Sequence, residues 1–316
     1  MKAIVYTERG PPAVFQQIDV EIPTPRNDEV LVKVHAASVN SWDWELLRKK
    51  PPMVSLGRRS DRRYKILGAD IAGQVEVVGK DVKQLRPGDE VFGDLCNSGW
   101  GGFAEYVCAR ENALLLKSAS MTFEQAAAIP QAGLLALQGL RKGQIKQGQK
   151  VLLNGAGGGV GSFALQIAKS IGAEVTAVDS TTKLDMLRSI GADHVIDYTK
   201  EDFTKKGQTY DLILDVAASR SLSNFKHSLR PKGKCVLIGG SMSVIFKALF
   251  FGSFGSKKVV CLLYKPNKDL AIIKDLFETG KVIPVIDRRY PLSEVGEAIR
   301  HLGDGHVKGK IVITVK

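Results

Sequence analysis

The 316-residue chain is 44% hydrophobic and 25% charged, the make-up of a globular protein of about two domains, which excludes disordered, collagen-like and fibrous classes. Lys and Arg outnumber Asp and Glu to leave a net charge of +12, so the surface attracts anions, whether dinucleotides, nucleic acid or acidic lipid headgroups. Four cysteines, Cys96, Cys108, Cys235 and Cys261, form no CxxC pair, which excludes a zinc ribbon or a disulfide framework and points to a reducing, cytoplasmic setting.

The opening MKAIVYTERG reads as a short strand and a turn, without the long apolar core and small-residue cleavage site of a secretory signal. Through the first third, AIVY, EVLVKVHAASV, IAGQVEVVG and DEVFG are short β elements separated by turn dipeptides such as Pro87-Gly88 and Gly101-Gly102. That pattern predicts a small β-rich or barrel-like domain. Near Thr122 the texture changes: TFEQAAAIPQAGLLALQGL has helix-forming composition, with Thr122 as N-cap and Glu124 and Gln125 in the first turn. Beyond it KVLLNG, AEVTAVD, ADHVIDY, YDLILDVA, KCVLIGG and KKVVCLL each read as a buried strand, with helical stretches between them. The alternation predicts an α/β domain over 122–282, a doubly wound parallel sheet covered on both faces. IPVIDRRYPLSEVGEAIRHLGDG then gives a strand, a capped helix and a turn. KGKIVITVK gives a last strand that rejoins the first domain, which is therefore expected to comprise 1–121 with 283–316. The most apolar late stretch, VIFKALFFGSF, is interrupted by Lys247 and Gly252 and falls far short of the roughly 20 residues that cross a bilayer, so no transmembrane segment is expected.

One turn carries chemistry. In NGAGGGVG, Ala156 occupies the place that needs a small residue for a tight turn, Gly158 the place where a pyrophosphate approaches the backbone, and Gly161 the place where helix and strand pack closely. The helix that follows offers unpaired N–H groups and a positive dipole end to phosphate. Asn154, Ala156, Gly158, Gly159, Val160 and Gly161 together form the candidate cradle. Asp179 ends the next strand, about 20 residues beyond Gly158, the spacing at which a carboxylate reaches the adenosine ribose. A glycine-rich turn can also serve packing alone, but here strand, helix, second strand and terminal acid agree on a dinucleotide.

Several blocks in order make the chain resemble a known family: MKAIVY, VLVKVHAASVNSWDW, LGADIAGQVEVVGKDVKQLRPGDEVFG, GGFAEY, AAAIPQAGLLALQGL, NGAGGGVGSFALQIAK, GADHVIDY and GKIVITVK. The resemblance is to the medium-chain dehydrogenase/reductase superfamily, and within it to the zinc-independent, zeta-crystallin-like NAD(P)H quinone oxidoreductases. It implies a GroES-like β-barrel domain built from both chain ends, a Rossmann domain between them, a cleft where nicotinamide meets substrate, and a homodimer. In zinc-dependent members the segment matching AASVNSWD carries a cysteine ligand and that matching LGADIAG a histidine. Here Ala69 stands at the histidine place and no cysteine precedes Cys96. A catalytic zinc takes three protein ligands, so no metal is expected. Without a Lewis acid, quinones and α,β-unsaturated carbonyls become the favoured acceptors, because their hydride adducts spread negative charge over oxygen and a conjugated system.

The resemblance implies NADPH as cofactor, with NADH as the alternative. Asp179 favours a free 2′-hydroxyl and repels a 2′-phosphate, whereas Lys183 and Tyr198 match positions that contact that phosphate in NADPH-dependent relatives. Ser180, beside Asp179, belongs to the same set. Val216 and Ala217 after LILD, and Gly239 and Gly240 after CVLI, complete the cofactor residues, since ligands bind at the carboxyl ends of parallel strands.

Asn40 and Asp43, in VNSWD, match the family's barrel loop near the nicotinamide and are the candidate catalytic residues. Asn40 is suited to hydrogen-bond cofactor or substrate and Asp43 to orient a proton relay; equally, Asn40 suits a turn and Asp43 a helix cap. Trp42, Trp44 and Tyr64 either flank a flat acceptor or belong to the core. Two departures matter: Glu45 stands where some relatives have a tyrosine, and Leu135 where many have a threonine. Tyr264 and Lys268 share the YxxxK spacing of short-chain dehydrogenases but follow a strand, and the spacing is read as coincidence. The five histidines show no ligand or nucleophile pattern.

These readings converge on an NADPH-dependent reductase that passes hydride to a quinone or an α,β-unsaturated carbonyl, with no nucleic acid required. The alternatives are a reductase specific for alkenal or enone double bonds, and a low-turnover cofactor-binding protein whose basic GRRSDRRYK, residues 57–65, contacts nucleic acid or a membrane surface.

Overall fold

A computed structural model describes residues 1–48, 65–217, 220–252 and 255–316. They form two compact units: Met1–Leu134 with Pro266–Glu278 and Ile286–Lys316, and Leu135–Lys265 with Thr279–Val285.

The first unit opens with β1 (Lys2–Tyr6), β2 (Gln16–Asp19), β3 (Glu29–Val39), helix α1 (Ser41–Arg48), β4 (Lys65–Ile66), β5 (Asp70–Val78), β6 (Glu90–Asp94), β7 (Tyr106–Arg110) and β8 (Leu115–Leu116). The strand β3 is central, pairing antiparallel with both β5 and β7. Its β-branched Val30, Val32 and Val34 suit a pleated surface, and of its 11 residues only Lys33 is exposed. Helix α2 (Phe123–Ala128) begins with a capping box, in which the Thr122 hydroxyl accepts the Gln125 N–H and the Gln125 side chain accepts the Thr122 N–H. Its buried Ala126, Ala127 and Ala128 are small enough to let it lie close on β3 and β5. Helix α3 (Pro130–Gly143) follows at once, with proline in the first helical position, where no N–H is needed.

The second unit contains β9 (Lys150–Asn154), α4 (Gly159–Ser170), β10 (Glu174–Asp179), α5 (Leu184–Ser189), β11 (His194–Asp197), β12 (Tyr210–Asp215), α6 (Leu222–His227), β13 (Leu229–Leu237), α7 (Met242–Phe251) and β14 (Lys258–Cys261). Its strands form one parallel sheet in the order β11-β10-β9-β12-β13-β14. Leu152, Val178, Ile213, Phe225, Cys235 and Val259 are among the buried side chains that pack on it. The order reverses direction between β9 and β12, so the carboxyl ends of these two strands frame the crevice where such sheets bind ligands.

The chain then returns to the first unit through α8 (Leu270–Glu278), β15 (Ile286–Pro291), α9 (Val295–Gly303) and β16 (Lys310–Thr314). As its sequence suggests, β16 rejoins that unit, antiparallel to β3. The boundaries differ from a simple division at 121 and 282. The first unit keeps α2 and the start of α3 because α2 packs on β3, β5 and β16. It also claims Pro266–Glu278, which the sequence assigned to the sheet domain. There Asn267 accepts the Asp94 N–H at 2.9 Å and donates to the Asp94 carbonyl at 2.8 Å, and Ile273 lies against Gly133.

Thr122→Ala removes one arm of the capping box and is expected to lower stability by about 1 kcal/mol. Urea unfolding of the full chain, compared with the wild type, checks this.

Candidate functional site

The strand β9 runs directly into the glycine turn. Gly155 adopts φ +84°, a left-handed conformation that glycine takes without strain, and Gly158 leads into α4 with extended backbone. An added Cβ at Gly158 would meet nothing nearer than the Gly155 carbonyl oxygen at 4.0 Å, so the space over this residue is open. At Gly161 the same atom would lie 2.3 Å from the Gly155 oxygen and 2.5 Å from the Ala156 Cα. One glycine thus keeps an approach to the backbone open, and the other lets α4 lie against the turn. Gly159, Val160 and Gly161 form the first turn of α4, whose N–H groups have no intrahelical acceptor. Together with the clear space over Gly158 they fit a diphosphate.

The other strand ends converge on the same edge. Val216 donates its N–H to the Asn154 carbonyl at 2.9 Å, and Asn154 Nδ2 donates to Asp215 Oδ1 at 2.7 Å, tying β9 to β12 at the reversal point. The Ala217 backbone nitrogen comes within 3.3 Å of a Cβ built on Gly155. Gly239 and Gly240 follow β13 with φ +84° and +128°, and a Cβ on Gly239 would meet open space.

At the end of β10, Asp179 and Lys183 prove to be each other's partners. Asp179 Oδ2 accepts the Gly157 N–H at 2.7 Å, Oδ1 accepts the Ser180 N–H at 2.9 Å, and Lys183 Nζ stands 3.4 Å from Oδ1. The two residues are 5% and 7% exposed, so little water screens the pair. A Cβ on Gly157 would come within 2.6 Å of Lys183 Cδ. Gly157 is therefore the glycine that admits the lysine stem, a role hidden in sequence by its place inside a run of three. Tyr198 donates its N–H to the Asp179 carbonyl at 3.1 Å and leaves its side chain half exposed.

In the first unit, Asn40 and Asp43 belong to a buried polar cluster. Asp43 is fully buried; Oδ2 accepts the Asn40 N–H at 2.8 Å and Oδ1 the Gly68 N–H at 2.9 Å. It clasps two chain segments, a positioning role, and neither oxygen is left to face a substrate. The Asn40 side chain is held at both ends: Nδ2 donates to Asp70 Oδ2 at 2.9 Å, and Oδ1 accepts from Lys310 Nζ. Lys310 lies 3.7 Å from Asp70 Oδ2, and Asp70 also accepts from the Ser38 hydroxyl and the Gln131 N–H. Strand register explains the assembly, because Ser38 lies opposite Asp70 on β5 and Val39 opposite Ile311 on β16. Asp70 and Lys310 are members of this cluster that the sequence pattern did not single out. The available signal was a charged residue in each of two otherwise apolar strands, LGADIAG and GKIVITVK. Gln131 Nε2 is buried in this neighbourhood without a hydrogen-bond partner.

Burial dominates the titration of this cluster. It pushes the Asp43 carboxyl up to about 7 against the downward pull of its two backbone donors. It raises Asp70 and lowers Lys310, while each charge pulls the other back toward ionisation.

Trp44 packs against Gly303, where an added Cβ would fall 2.4 Å from the indole, and carries the Arg48 guanidinium 4.8 Å from its ring centre. That is a packing role between α1 and α9. Tyr64 and residues 57–64 of the basic cluster lie outside the described residues. Among the described residues, no three His, Cys, Asp or Glu side chains come together as a metal set.

A family model for the alcohol dehydrogenase GroES-like domain matches residues 26–119, and one for a zinc-binding dehydrogenase matches 190–313. The chain is 33% identical to the chloroplast envelope quinone oxidoreductase homolog of Arabidopsis thaliana over 328 residues, which cover 99% of this chain and 98% of that protein. It belongs to the medium-chain dehydrogenase/reductase superfamily, among the quinone oxidoreductases. A second Arabidopsis relative, the NADPH-dependent alkenal/one oxidoreductase, is 32% identical across 99% of this chain and 79% of its own. Among solved structures, the quinone oxidoreductase from Coxiella burnetii matches with a TM-score of 0.92 and 32% identity, covering 100% of this chain and 99% of that one. The fold agrees with this membership: a GroES-like unit and a Rossmann sheet.

The Asp43 shift makes a pH-dependent contribution to stability. An unfolded Asp titrates near 4, so between about pH 4 and 7 the folded chain holds the proton more tightly and stability falls as pH rises, by up to about 1.4 kcal/mol per pH unit. Asp43→Asn, which cannot titrate, is expected to flatten that slope. Urea unfolding of both proteins across this pH range checks the sign.

Proposed function

We propose that this chain is an NAD(P)H-dependent oxidoreductase that reduces quinones and α,β-unsaturated carbonyls, with NADPH as the preferred donor. The observation that carries this reading is the open backbone over Gly158, set between α4 and the reversal point of a parallel sheet. The printed activities of the relatives, a quinone oxidoreductase and an alkenal/one oxidoreductase, support the acceptor class.

When bound, the reduced nicotinamide supplies a hydride. The amides of the turn and of the first turn of α4 hold the diphosphate. Asn40 is the polar group of the first unit assigned to the acceptor or the nicotinamide. Asp70 and Lys310 fix which end of its amide faces which way. A donor fixed in advance is what the anion of a reduced enone or quinone needs. The proposed reaction uses no metal, a reading supported by Ala69 at the place of a zinc-binding histidine. All four cysteines are thiols, which supports a reducing, cytoplasmic setting. A homodimer is part of the same proposal.

NADPH oxidation against a panel of quinones, alkenals and saturated aldehydes, with and without a chelator, tests the reading. Turnover of quinones or enones that ignores the chelator is expected; turnover confined to saturated aldehydes, or lost on chelation, overturns it. Asn40→Ala is expected to lower kcat/KM for the acceptor about a hundredfold or more, the scale of a lost oxyanion donor.

The Asp179–Lys183 pair sets the coenzyme preference. A unit charge pair at 4 Å is worth about 1 to 4 kcal/mol across effective dielectrics of 80 to 20. Repulsion of a 2′-phosphate by Asp179 and attraction by Lys183 are therefore of similar size. Asp179→Ser leaves the lysine unbalanced and is expected to raise the NADPH-to-NADH ratio of kcat/KM about tenfold, whereas Lys183→Ala lowers it. An unchanged ratio in both variants places neither residue at the ribose.

A further inference from the structure

We propose that a basic, aromatic-walled cavity at the carboxyl-terminal end of α1 binds a small planar anion, a flat ring that bears a carboxylate or phosphate group. The cavity has a volume of 460 Å³ and is lined by Arg9, Gly10, Pro11, Pro12, Trp44 and Arg48, all within the first unit. Small-molecule sites span about 300–1,000 Å³, so the space suits a compact ligand. Asp43 lies in the first turn of α1, where it clasps Asn40, and Arg48 lies in the last. The cavity is therefore at the other end of the helix from the buried polar cluster.

Its walls are fixed by contacts within the chain. The Trp44 indole is wedged against Gly303, where any side chain would strike it, and the Arg48 guanidinium lies 4.8 Å from the centre of its ring. Stacking of this kind uses the face of the guanidinium and leaves the N–H groups at its edge to bond. Arg9 Nε donates to the Leu46 carbonyl at 3.3 Å and the Gly10 N–H to the Leu47 carbonyl at 3.2 Å. These bonds join the loop after β1 to α1 and cover two carbonyls at the negative end of the helix, which would otherwise repel an anion. With Nε engaged, Arg9 keeps its two terminal nitrogens for a ligand. Pro11 and Pro12 add rings whose backbone angle is fixed by covalent closure.

This lining states the charge and the shape of the occupant. Two arginines and no acid face the cavity, and among the described residues neither guanidinium is held in an ion pair. A guanidinium presents parallel N–H donors that match the oxygens of a carboxylate or a phosphate, so the polar part of the ligand is an oxyanion. A cation would be repelled by both arginines. An indole and two pyrrolidine rings offer flat apolar contact, which a hydrated inorganic anion leaves unused and a planar ring fills.

Calorimetric titration of the full chain with naphthoate, naphthyl phosphate, the neutral naphthalenemethanol and acetate tests the proposal. At least one naphthyl anion is expected to bind about tenfold more tightly than both the alcohol and acetate, the scale of a hydrogen bond to a charged group. The tighter of the two anions identifies which oxyanion the arginines prefer. Arg9→Gln and Arg48→Gln are each expected to weaken that binding about tenfold while leaving the thermal midpoint and NADPH oxidation with a quinone as in the wild type. The proposal fails if neither naphthyl anion outbinds the alcohol. It fails equally if both arginine variants bind the anion as the wild type does, which would place it at the dinucleotide turn or the acceptor site. Quinone turnover is measured apart from this binding, so loss of the one reading leaves the other standing.

Discussion

The first unit is organised around one buried contact, the Lys310 ammonium 3.7 Å from the Asp70 carboxylate, with both residues almost entirely out of water. Burying two charges costs several kcal/mol per ion before their attraction is counted, so such a pair is poor evidence for stability. Its consequence is specificity of arrangement. The carboxylate takes hydrogen bonds from Ser38 on β3, from Asn40 beyond it and from the Gln131 backbone at the start of α3. The ammonium bonds the Val39 carbonyl and the Asn40 side chain. A displaced β16 would leave Asp70 as an uncompensated buried charge, a loss of about 3 to 5 kcal/mol. The late strand is thereby tied to one register against β3, and Asn40 acquires one orientation.

The second unit solves a related problem with space instead of charge. Gly161 allows α4 to approach the turn to a distance no side chain tolerates, while Gly158 leaves the backbone bare over the turn, the space the proposed diphosphate would take. Gly157 makes room for Lys183, whose ammonium balances Asp179 at the floor of the turn. An acid at the end of the second strand would by itself make the site hostile to a 2′-phosphate. Paired with a buried lysine, it becomes part of a floor of balanced charge, which is why the proposed coenzyme preference turns on both residues together.

What could be read from sequence followed from periodicity and local chemistry. The eleven residues of EVLVKVHAASV form β3 as read, the capping box at Thr122 forms as its spacing suggests, and the six strand-like segments of the second unit fall into one parallel sheet. The glycine positions also carried their meaning openly, since a missing Cβ is visible in the sequence. The misses share a different cause. Asp70 and Lys310 meet across 240 residues of chain, and nothing local in LGADIAG or GKIVITVK announces that their charged members face one another. Asn267, with φ +57°, binds Asp94 from within a stretch that sequence assigns to the other domain. Asp43 shows how composition alone leaves a choice: an acid at that distance from Asn40 serves a relay or a cap equally well. The structure adds what sequence could not show, the hydrogen bonds by which Asp43 holds the Asn40 and Gly68 N–H groups together.

Charge distribution gives the net +12 a location. A basic surface spread evenly would act as a weak, long-range attractor for any anion and would be screened beyond about 8 Å at physiological salt. In this chain a large share of the excess falls within Val216–Lys265, a segment without a single acid, where lysines from α6, β13 and β14 stand close together. Such crowding destabilises the unit through self-repulsion, and it persists beside an apolar helix face that water also disfavours.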